Sequence, residues 1–243
     1  MSEKYDGAGE QYAQFKESTT LPLPERYTIR KLVGDVRGRA VIDLACGTGF
    51  YTRMLKQQGA GRMVGVDISL DMVTQARQQE QAEPLGIEYL VDDALRLLPT
   101  HEFELVTAVY LLNYASSRDA LLGMFRAVHG QLREHGRFVA MTTHPDFSLS
   151  KPNWTKYGLS VAQLEREEDR FLCVADLHIQ PPLRMSCYNW DKSVYEWAAR
   201  EAGFQRLSWH ELEIPPEELE RHGAEYWWDY QENPLLLALS CEK

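Results

Sequence analysis

The sequence has no excess of positive charge and no long apolar run. Its 243 residues include 26 Lys and Arg against 36 Asp and Glu, giving a formal net charge of −10. Binding along a nucleic-acid backbone draws on clustered Lys and Arg, so this balance disfavours a nucleic-acid partner. No stretch of about 18 apolar residues is present, which predicts no membrane-spanning helix and no membrane partner. The opening MSEKYDGAGEQY lacks an apolar core, so we expect no signal peptide and a cytoplasmic location.

Cysteine is also scarce. The four cysteines, Cys46, Cys173, Cys187 and Cys241, form no C-x-x-C pair, so a zinc knuckle has no support and no metal is expected. We expect reduced thiols, with a Cys173–Cys187 bridge as the alternative.

Apolar strands alternate with helical patterns along the first part of the chain. Strands are predicted at 40–45, 62–68, 87–93, 103–112 and 136–143, and helices at 24–35, 50–59, 70–82 and 117–134. Such a βαβ series predicts an α/β fold, a doubly wound, mostly parallel sheet with helices on both faces. A further helix at 191–203 and strands at 204–212 and 235–242 complete the pattern.

Two irregular segments, 144–190 and 214–233, are rich in aromatic residues or proline. We interpret both as excursions from one domain spanning 1–243, with an N-terminal lid and helix at 1–35 and a binding core at 36–143. Open α/β sheets bind ligands at the carboxyl ends of their strands, so both excursions are expected to cover that edge.

The stretch VIDLACGTGF, residues 41–50, is a strand that runs into a glycine-rich turn. The dinucleotide fingerprint G-x-G-x-x-G is incomplete, because Thr52 stands where the third glycine would permit close helix–strand packing. Asp43 lies four residues before Gly47. A carboxylate there is awkward beside a pyrophosphate but suits a cationic ammonium or sulfonium.

Acidic residues also follow the next two strands. Asp67 is placed to accept both hydroxyls of a ribose, and Asp93, or alternatively Asp92, to accept from an adenine amino group. Three acids after three successive strands predict a nucleoside-sized groove without a phosphate anchor. This favours S-adenosylmethionine over nicotinamide or flavin dinucleotides. The alternatives are a structural role for Asp43, a helix-cap role for Asp67 and Asp93, and glycines that merely permit a tight turn.

The segments VIDLACGTGFYTR, VGVDIS and DDA, with AGF before a later strand, resemble the class I S-adenosylmethionine-dependent methyltransferases. The resemblance covers about 36–143 and 191–212. It implies a Rossmann-like, seven-stranded sheet whose last strand, 235–242, is antiparallel, with insertions after strand five and before the last strand. More narrowly, YDGAGEQY, GDVRGRAVIDLACG, LNYASS and HPDFSL resemble toxoflavin-synthase-like small-molecule N-methyltransferases.

Position and resemblance together give the candidate site residues. The candidates for binding S-adenosyl-L-methionine, and its product S-adenosyl-L-homocysteine, are Tyr5, Asp43, Ala45, Cys46, Gly47, Gly49, Asp67, Ile68, Met72, Asp92, Asp93, Ala94 and Tyr110. The candidates for binding substrate are Tyr12, Asn113, Tyr114, Trp154 and Trp190, and His144 is the candidate catalytic residue. A catalytic base is not essential, because alignment alone contributes roughly 7–11 kcal/mol to such reactions.

These features predict methyl transfer to a nitrogen or oxygen of a small, planar heteroaromatic molecule, in secondary metabolism. The alternatives are a protein or carrier-bound substrate, a non-catalytic S-adenosylmethionine-binding module, and a nicotinamide-dependent oxidoreductase. Either a monomer or a homodimer is expected.

Overall fold

The computed structural model describes residues 9–243. The helices are α1 (Gly9–Ser18), α2 (Pro22–Val33), α3 (Phe50–Gln57), α4 (Leu70–Ala82), α5 (Arg118–Gln131), α6 (Lys192–Glu201), α7 (Pro216–His222) and α8 (Ala224–Glu232). The strands are β1 (Val41–Leu44), β2 (Met63–Asp67), β3 (Ile87–Val91), β4 (Phe103–Val109), β5 (Leu132–Thr143), β6 (Leu159–Glu167), β7 (Arg170–Leu177), β8 (Leu183–Trp190), β9 (Arg206–Glu211) and β10 (Leu236–Glu242).

The main sheet has seven strands in the order β3-β2-β1-β4-β5-β10-β9. The pairs from β3 to β5 are parallel, whereas β10 runs antiparallel to both of its neighbours. This confirms the predicted fold, including the antiparallel last strand. β1 lies at the centre of the parallel part, so the glycine-rich turn that follows it opens at the middle of the carboxyl edge.

The central strand is buried because helices cover both faces of the sheet. All four residues of β1 are buried, as expected for a parallel strand packed on both sides. Successive side chains alternate between the faces. Val41 therefore packs in one apolar core with the N-terminal helices, while Ile42 and Leu44 pack in a second core with α5 and α6.

The excursion after β5 forms a second, antiparallel sheet in the order β6-β7-β8. Its last two strands lie within the runs RFLCVADLHI and LRMSCYNW of the first excursion. The excursion before β10 forms α7 and α8. No helix of the described chain, residues 9–243, combines the length and the apolarity needed to cross a bilayer.

Candidate functional site

A cavity lies at the carboxyl edge of the main sheet. One end is formed by the turns after β1, β2 and β3, and the other by the inner face of the β6-β7-β8 sheet. Of the residues predicted to bind cofactor, Ala45, Gly47, Asp67, Ile68, Met72, Asp92, Asp93, Ala94 and Tyr110 line it. The first of the two excursions therefore reaches the same space as the cofactor candidates.

The turn after β1 presents backbone to the cavity. Ala45 and Gly47 both adopt positive φ, at 60° and 55°, a conformation that Gly tolerates without strain. Open space lies where a Cβ on Gly47 would be. The cavity therefore reaches the main chain itself at this point.

Asp67, at the end of β2, is anchored by backbone donors. The Gly47 N–H donates to its Oδ2 at 2.8 Å, and the Ser69 N–H donates to its Oδ1 at 2.9 Å. Burial raises the pKa of this carboxyl, and the backbone hydrogen bonds counter that rise. Each carboxylate oxygen keeps further acceptor capacity. Asp67 thus fixes the glycine turn and can still accept from a ligand.

Asp43 does not line the cavity, which corrects the expectation that it faces a cationic part of the cofactor. Its side chain is 1% exposed, and its two oxygens accept from the hydroxyls of Thr52 and Thr107, each at 2.7 Å. Burial raises its pKa to about 6. Thr52, which replaces the third glycine of a dinucleotide motif, thus supplies a donor to this buried acid.

Cys46 and Gly49 also lie behind the turn and do not line the cavity. A Cβ on Gly49 would stand 2.3 Å from the Tyr89 hydroxyl, so packing against β3 requires glycine at this position. The Cys46 side chain is buried, 6% exposed, and faces Gly65 of β2, where a Cβ would lie 3.0 Å from its sulfur. Both residues shape the turn without reaching the cavity.

The acids after β3 lie at the cavity with their local contacts already formed. The Asp92 carboxylate accepts from the Asp93 N–H at 2.8 Å, and the Asp93 carboxylate accepts from the Leu95 N–H at 3.0 Å. Asp93 thereby caps the short helical turn Ala94–Arg96. Asp93 therefore caps this turn and also lines the cavity.

A buried ion pair borders the cavity from the N-terminal helices. Lys16 Nζ of α1 lies 2.7 Å from Glu25 Oε2 of α2, with side-chain exposures of 3% and 0%. The Tyr51 hydroxyl donates to the same Glu25 oxygen, and the Lys16 ammonium lies 5.0 Å from the Tyr110 ring centre. Burial and the Glu25 charge raise the pKa of Tyr12 and Tyr110, so both phenols remain protonated.

Four of the five substrate candidates, Tyr12, Asn113, Tyr114 and Trp154, line the cavity. Trp154 is held from behind by the second excursion, because its indole N–H donates to the Asn233 carbonyl at 2.9 Å and its ring lies 3.9 Å from that of Tyr230. No residue of 214–233 lines this cavity. This corrects the expectation that both excursions cover it.

Trp190 lies outside the cavity, contrary to the expectation that it binds substrate. Its indole N–H donates to the Ala115 carbonyl at 3.0 Å, and its side chain packs in the core beneath α5 and α6. Trp190 thus ties the end of β8 to the segment that follows β4.

His144 does not line the cavity either, contrary to the expectation that it lies beside the substrate as a catalytic residue. Its Nδ1 accepts from the Asp146 N–H at 3.0 Å, and its Nε2 faces Glu211 Oε1 at 3.3 Å. The main chain is pinned as well, since the His144 N–H donates to the Leu235 carbonyl at 2.7 Å. Both ring nitrogens are engaged in holding the turn after β5.

Several cavity residues were not predicted. Lys16 and Phe15 come from α1, for which no helix was predicted, and Thr143 is the last residue of β5. The inner wall is formed by Leu159, Cys173, Ala175, Leu177, Met185 and Cys187. Alternation along β7, with residues 173, 175 and 177 on one face, is the signal that could have identified part of this wall.

The features at this end of the cavity fit S-adenosyl-L-methionine. Backbone without a Cβ faces the space at Gly47, a carboxylate lies at the end of β2, and two more lie after β3. The carboxylates can accept hydrogen bonds from the hydroxyls of a polyol and from an amine, and they attract a cation. They would repel a phosphate. Within residues 9–243, no group of three or more metal-ligating side chains occurs. Tyr5, the remaining cofactor candidate, lies outside the described residues.

Comparison with known proteins agrees with this chemistry. Residues 41–136 match the family model of a methyltransferase domain. The chain is 25% identical over 183 residues to N-demethylindolmycin N-methyltransferase of Streptomyces griseus, covering 72% of this chain and 73% of that protein. It is 32% identical over 138 residues to demethylmenaquinone methyltransferase of Lactococcus lactis, covering 54% of this chain and 53% of that protein.

A solved S-adenosylmethionine-dependent methyltransferase from Mesorhizobium loti has the same fold, with a TM-score of 0.66, 21% identity and coverage of 90% of this chain and 98% of that one. The fold is that of the class I methyltransferases. Residues 41–136 match a methyltransferase domain, and the solved protein of the same fold is named as dependent on S-adenosylmethionine. It aligns with only about half of the Lactococcus protein.

Proposed function

We propose that the protein transfers the methyl group of S-adenosyl-L-methionine to a nitrogen or oxygen of a small, flat, mostly apolar molecule. The observation that carries this proposal is one continuous cavity. Asp67 and Gly47 lie at one end, and Trp154 with the inner face of β6-β7-β8 forms the other. Enclosed, largely apolar spaces with a few polar groups are typical of small-molecule sites.

Two relatives favour the same substrate class, whereas others are named as ribosomal protein L11 methyltransferases. Two relatives are named as methyltransferases of demethylindolmycin and demethylmenaquinone. The first of these names supports a nitrogen acceptor, and a role in secondary metabolism is part of this proposal. The resemblance to toxoflavin-synthase-like N-methyltransferases points in the same direction and is part of this proposal.

The assignment of residues follows from their positions. Asp67 would hold the ribose hydroxyls, Asp92 or Asp93 the adenine amino group, and the Ala45–Gly47 backbone would face the methionine part. When bound, S-adenosyl-L-methionine supplies an activated methyl group and leaves as S-adenosyl-L-homocysteine. The chain's own contribution is to orient the acceptor and exclude water, which is the main requirement of such a transfer.

The N-terminal segment is part of the proposal as a cover for the adenosine end. The described chain starts at Gly9, whose N–H donates to Asp71 Oδ2 of α4 at 3.1 Å. This contact ties the start of the described chain to the helix that follows β2.

Titration calorimetry with S-adenosyl-L-methionine, S-adenosyl-L-homocysteine and NADH tests the cofactor assignment. Labelled-methyl transfer to a panel of neutral heteroaromatics then tests the reaction. We expect tight binding of both S-adenosyl compounds, no binding of NADH and transfer to at least one heteroaromatic. Label found only in protein fractions would instead indicate a macromolecular substrate. Cofactor binding without transfer to any acceptor would indicate a non-catalytic module.

A further inference from the structure

Two buried polar atoms at the cavity have no hydrogen-bond partner in the described protein. They are Asn113 Oδ1, after β4, and Thr143 Oγ1, at the end of β5. Their residues are 4% and 7% exposed, and both line the cavity. A buried polar atom without a partner is destabilising. A bound molecule that pairs with these atoms would remove that penalty.

The surroundings of these two atoms are otherwise apolar. Leu236 lies directly beside Thr143 in the β5–β10 ladder and lines the cavity together with Leu235, Trp154 and the inner wall of β6-β7-β8. An apolar wall stabilises a molecule mainly by removing its nonpolar surface from water. Asn113 and Thr143 then fix its orientation through hydrogen bonds.

The charges around the cavity disfavour an anionic ligand. Three carboxylates, Asp67, Asp92 and Asp93, line it. Among the described residues that line it, Lys16 is the only lysine or arginine, and its ammonium is already neutralised by Glu25 at 2.7 Å. The protein therefore supplies no free counter-charge for a carboxylate or phosphate on the substrate, and burying such a group carries a high desolvation cost.

We infer that the methyl acceptor is an uncharged, mostly apolar molecule with one polar edge, and that Asn113 and Thr143 select it by hydrogen bonding to that edge. Asn113 Oδ1 accepts from an N–H or O–H of the ligand, while Thr143 Oγ1 donates or accepts. The inference rests on the proposed function, because the ligand is a methyl acceptor only if the protein transfers a methyl group. Ligand binding nevertheless tests the inference without any turnover.

The chain offers a matched pair of threonines for the test. Thr142 and Thr143 are neighbours on β5 and point to opposite faces of the sheet. The Thr142 hydroxyl pairs with the Tyr195 hydroxyl at 2.9 Å in the core, whereas that of Thr143 has no partner within residues 9–243. Thr142→Val is therefore expected to lower the melting temperature without changing ligand binding. Thr143→Val is expected to leave the melting temperature unchanged or raise it, and to weaken ligand binding.

The ligands are three probes of similar size, titrated into the protein saturated with S-adenosyl-L-homocysteine. Indole-3-carboxamide is neutral with donors and an acceptor, indole-3-carboxylate is its anionic analogue, and 1,3-dimethylindole lacks hydrogen-bonding groups. We expect the carboxamide to bind more tightly than the carboxylate. Asn113→Leu and Thr143→Val should each weaken carboxamide binding by about two- to tenfold, the equivalent of one neutral hydrogen bond. The dimethyl compound should bind all variants equally.

Equal or tighter binding of the carboxylate overturns the inference, and so does unchanged carboxamide binding in both variants. Absence of binding by all three probes also overturns it. The preceding titration with S-adenosyl-L-homocysteine reports the cofactor site separately. Failure of that titration counts against the proposed function, whereas the probe results count for or against the substrate class.

Discussion

Replacing Asp43 by Asn tests whether a buried charge lies behind the glycine turn. The wild-type carboxyl has a pKa of about 6 in the folded protein, against an ordinary value of 3.8. The folded state therefore holds the proton more tightly than the unfolded state. The contribution of the protonated Asp43 carboxyl to stability is fully present below pH 3.8 and is lost as pH rises through about 6. The full loss is on the order of 3 kcal/mol.

Asn has the same shape and can pair with the hydroxyls of Thr52 and Thr107, but it does not ionise. Asp43→Asn should therefore remove this pH-dependent loss, together with the interaction between the Asp43 and Asp67 charges. The stability of the variant minus that of wild type should therefore be greater above pH 7 than at pH 4, by up to about 3 kcal/mol.

The assay is urea unfolding of both proteins without ligand, at several pH values from 4 to 8. Subtracting the two stability profiles isolates Asp43 and its interaction with Asp67, because the remaining groups cancel. A difference that does not vary between pH 4 and 7 would refute the reasoning, since it would mean that the carboxyl ionises as it does in water. Because Asp43 does not reach the cavity, the affinity for S-adenosyl-L-methionine should change much less in this variant than in Asp67→Ala.

Three further variants separate binding from stability. Asp67→Ala should weaken S-adenosyl-L-methionine binding by about ten- to hundredfold, since a hydrogen bond to a charged group contributes ~1.5–3 kcal/mol. It should also lower the stability of the protein, because the Gly47 and Ser69 N–H groups lose their acceptor. An unchanged dissociation constant in calorimetry would limit Asp67 to a structural role. Lys16→Met should lower the free energy of unfolding in urea by about 3–5 kcal/mol, because the Glu25 charge is left buried and unpaired. The double variant Lys16→Met with Glu25→Gln should recover part of this loss. Equal stability of the single and double variants would contradict the ion-pair assignment. His144→Ala should leave cofactor affinity and turnover unchanged while lowering the melting temperature, and a selective loss of turnover would restore a catalytic role.

The sequence by itself was sufficient to predict the sheet and the end of the cavity that suits the cofactor. Strand-then-turn patterns are local, and parallel strands bring their carboxyl ends to one edge, so Gly47, Asp67 and Asp93 were predictable as neighbours. The same local signals cannot show whether a side chain points towards a bound cofactor or towards polar groups in the core. Asp43 was expected at the cofactor, but the hydroxyls of Thr52 and Thr107 hold it in the core.

The substrate end depended on contacts between distant segments. Lys16 and Glu25 meet across two helices, and Trp154 is positioned by Asn233, 79 residues later in the chain. His144 and Trp190 had the composition of site residues, yet each is held by hydrogen bonds to residues away from the cavity. Thr142 and Thr143 are chemically identical in the sequence. Only packing gives one of them the Tyr195 hydroxyl and leaves the other facing the cavity, because the pairing of a buried polar group depends on which surface folds against it.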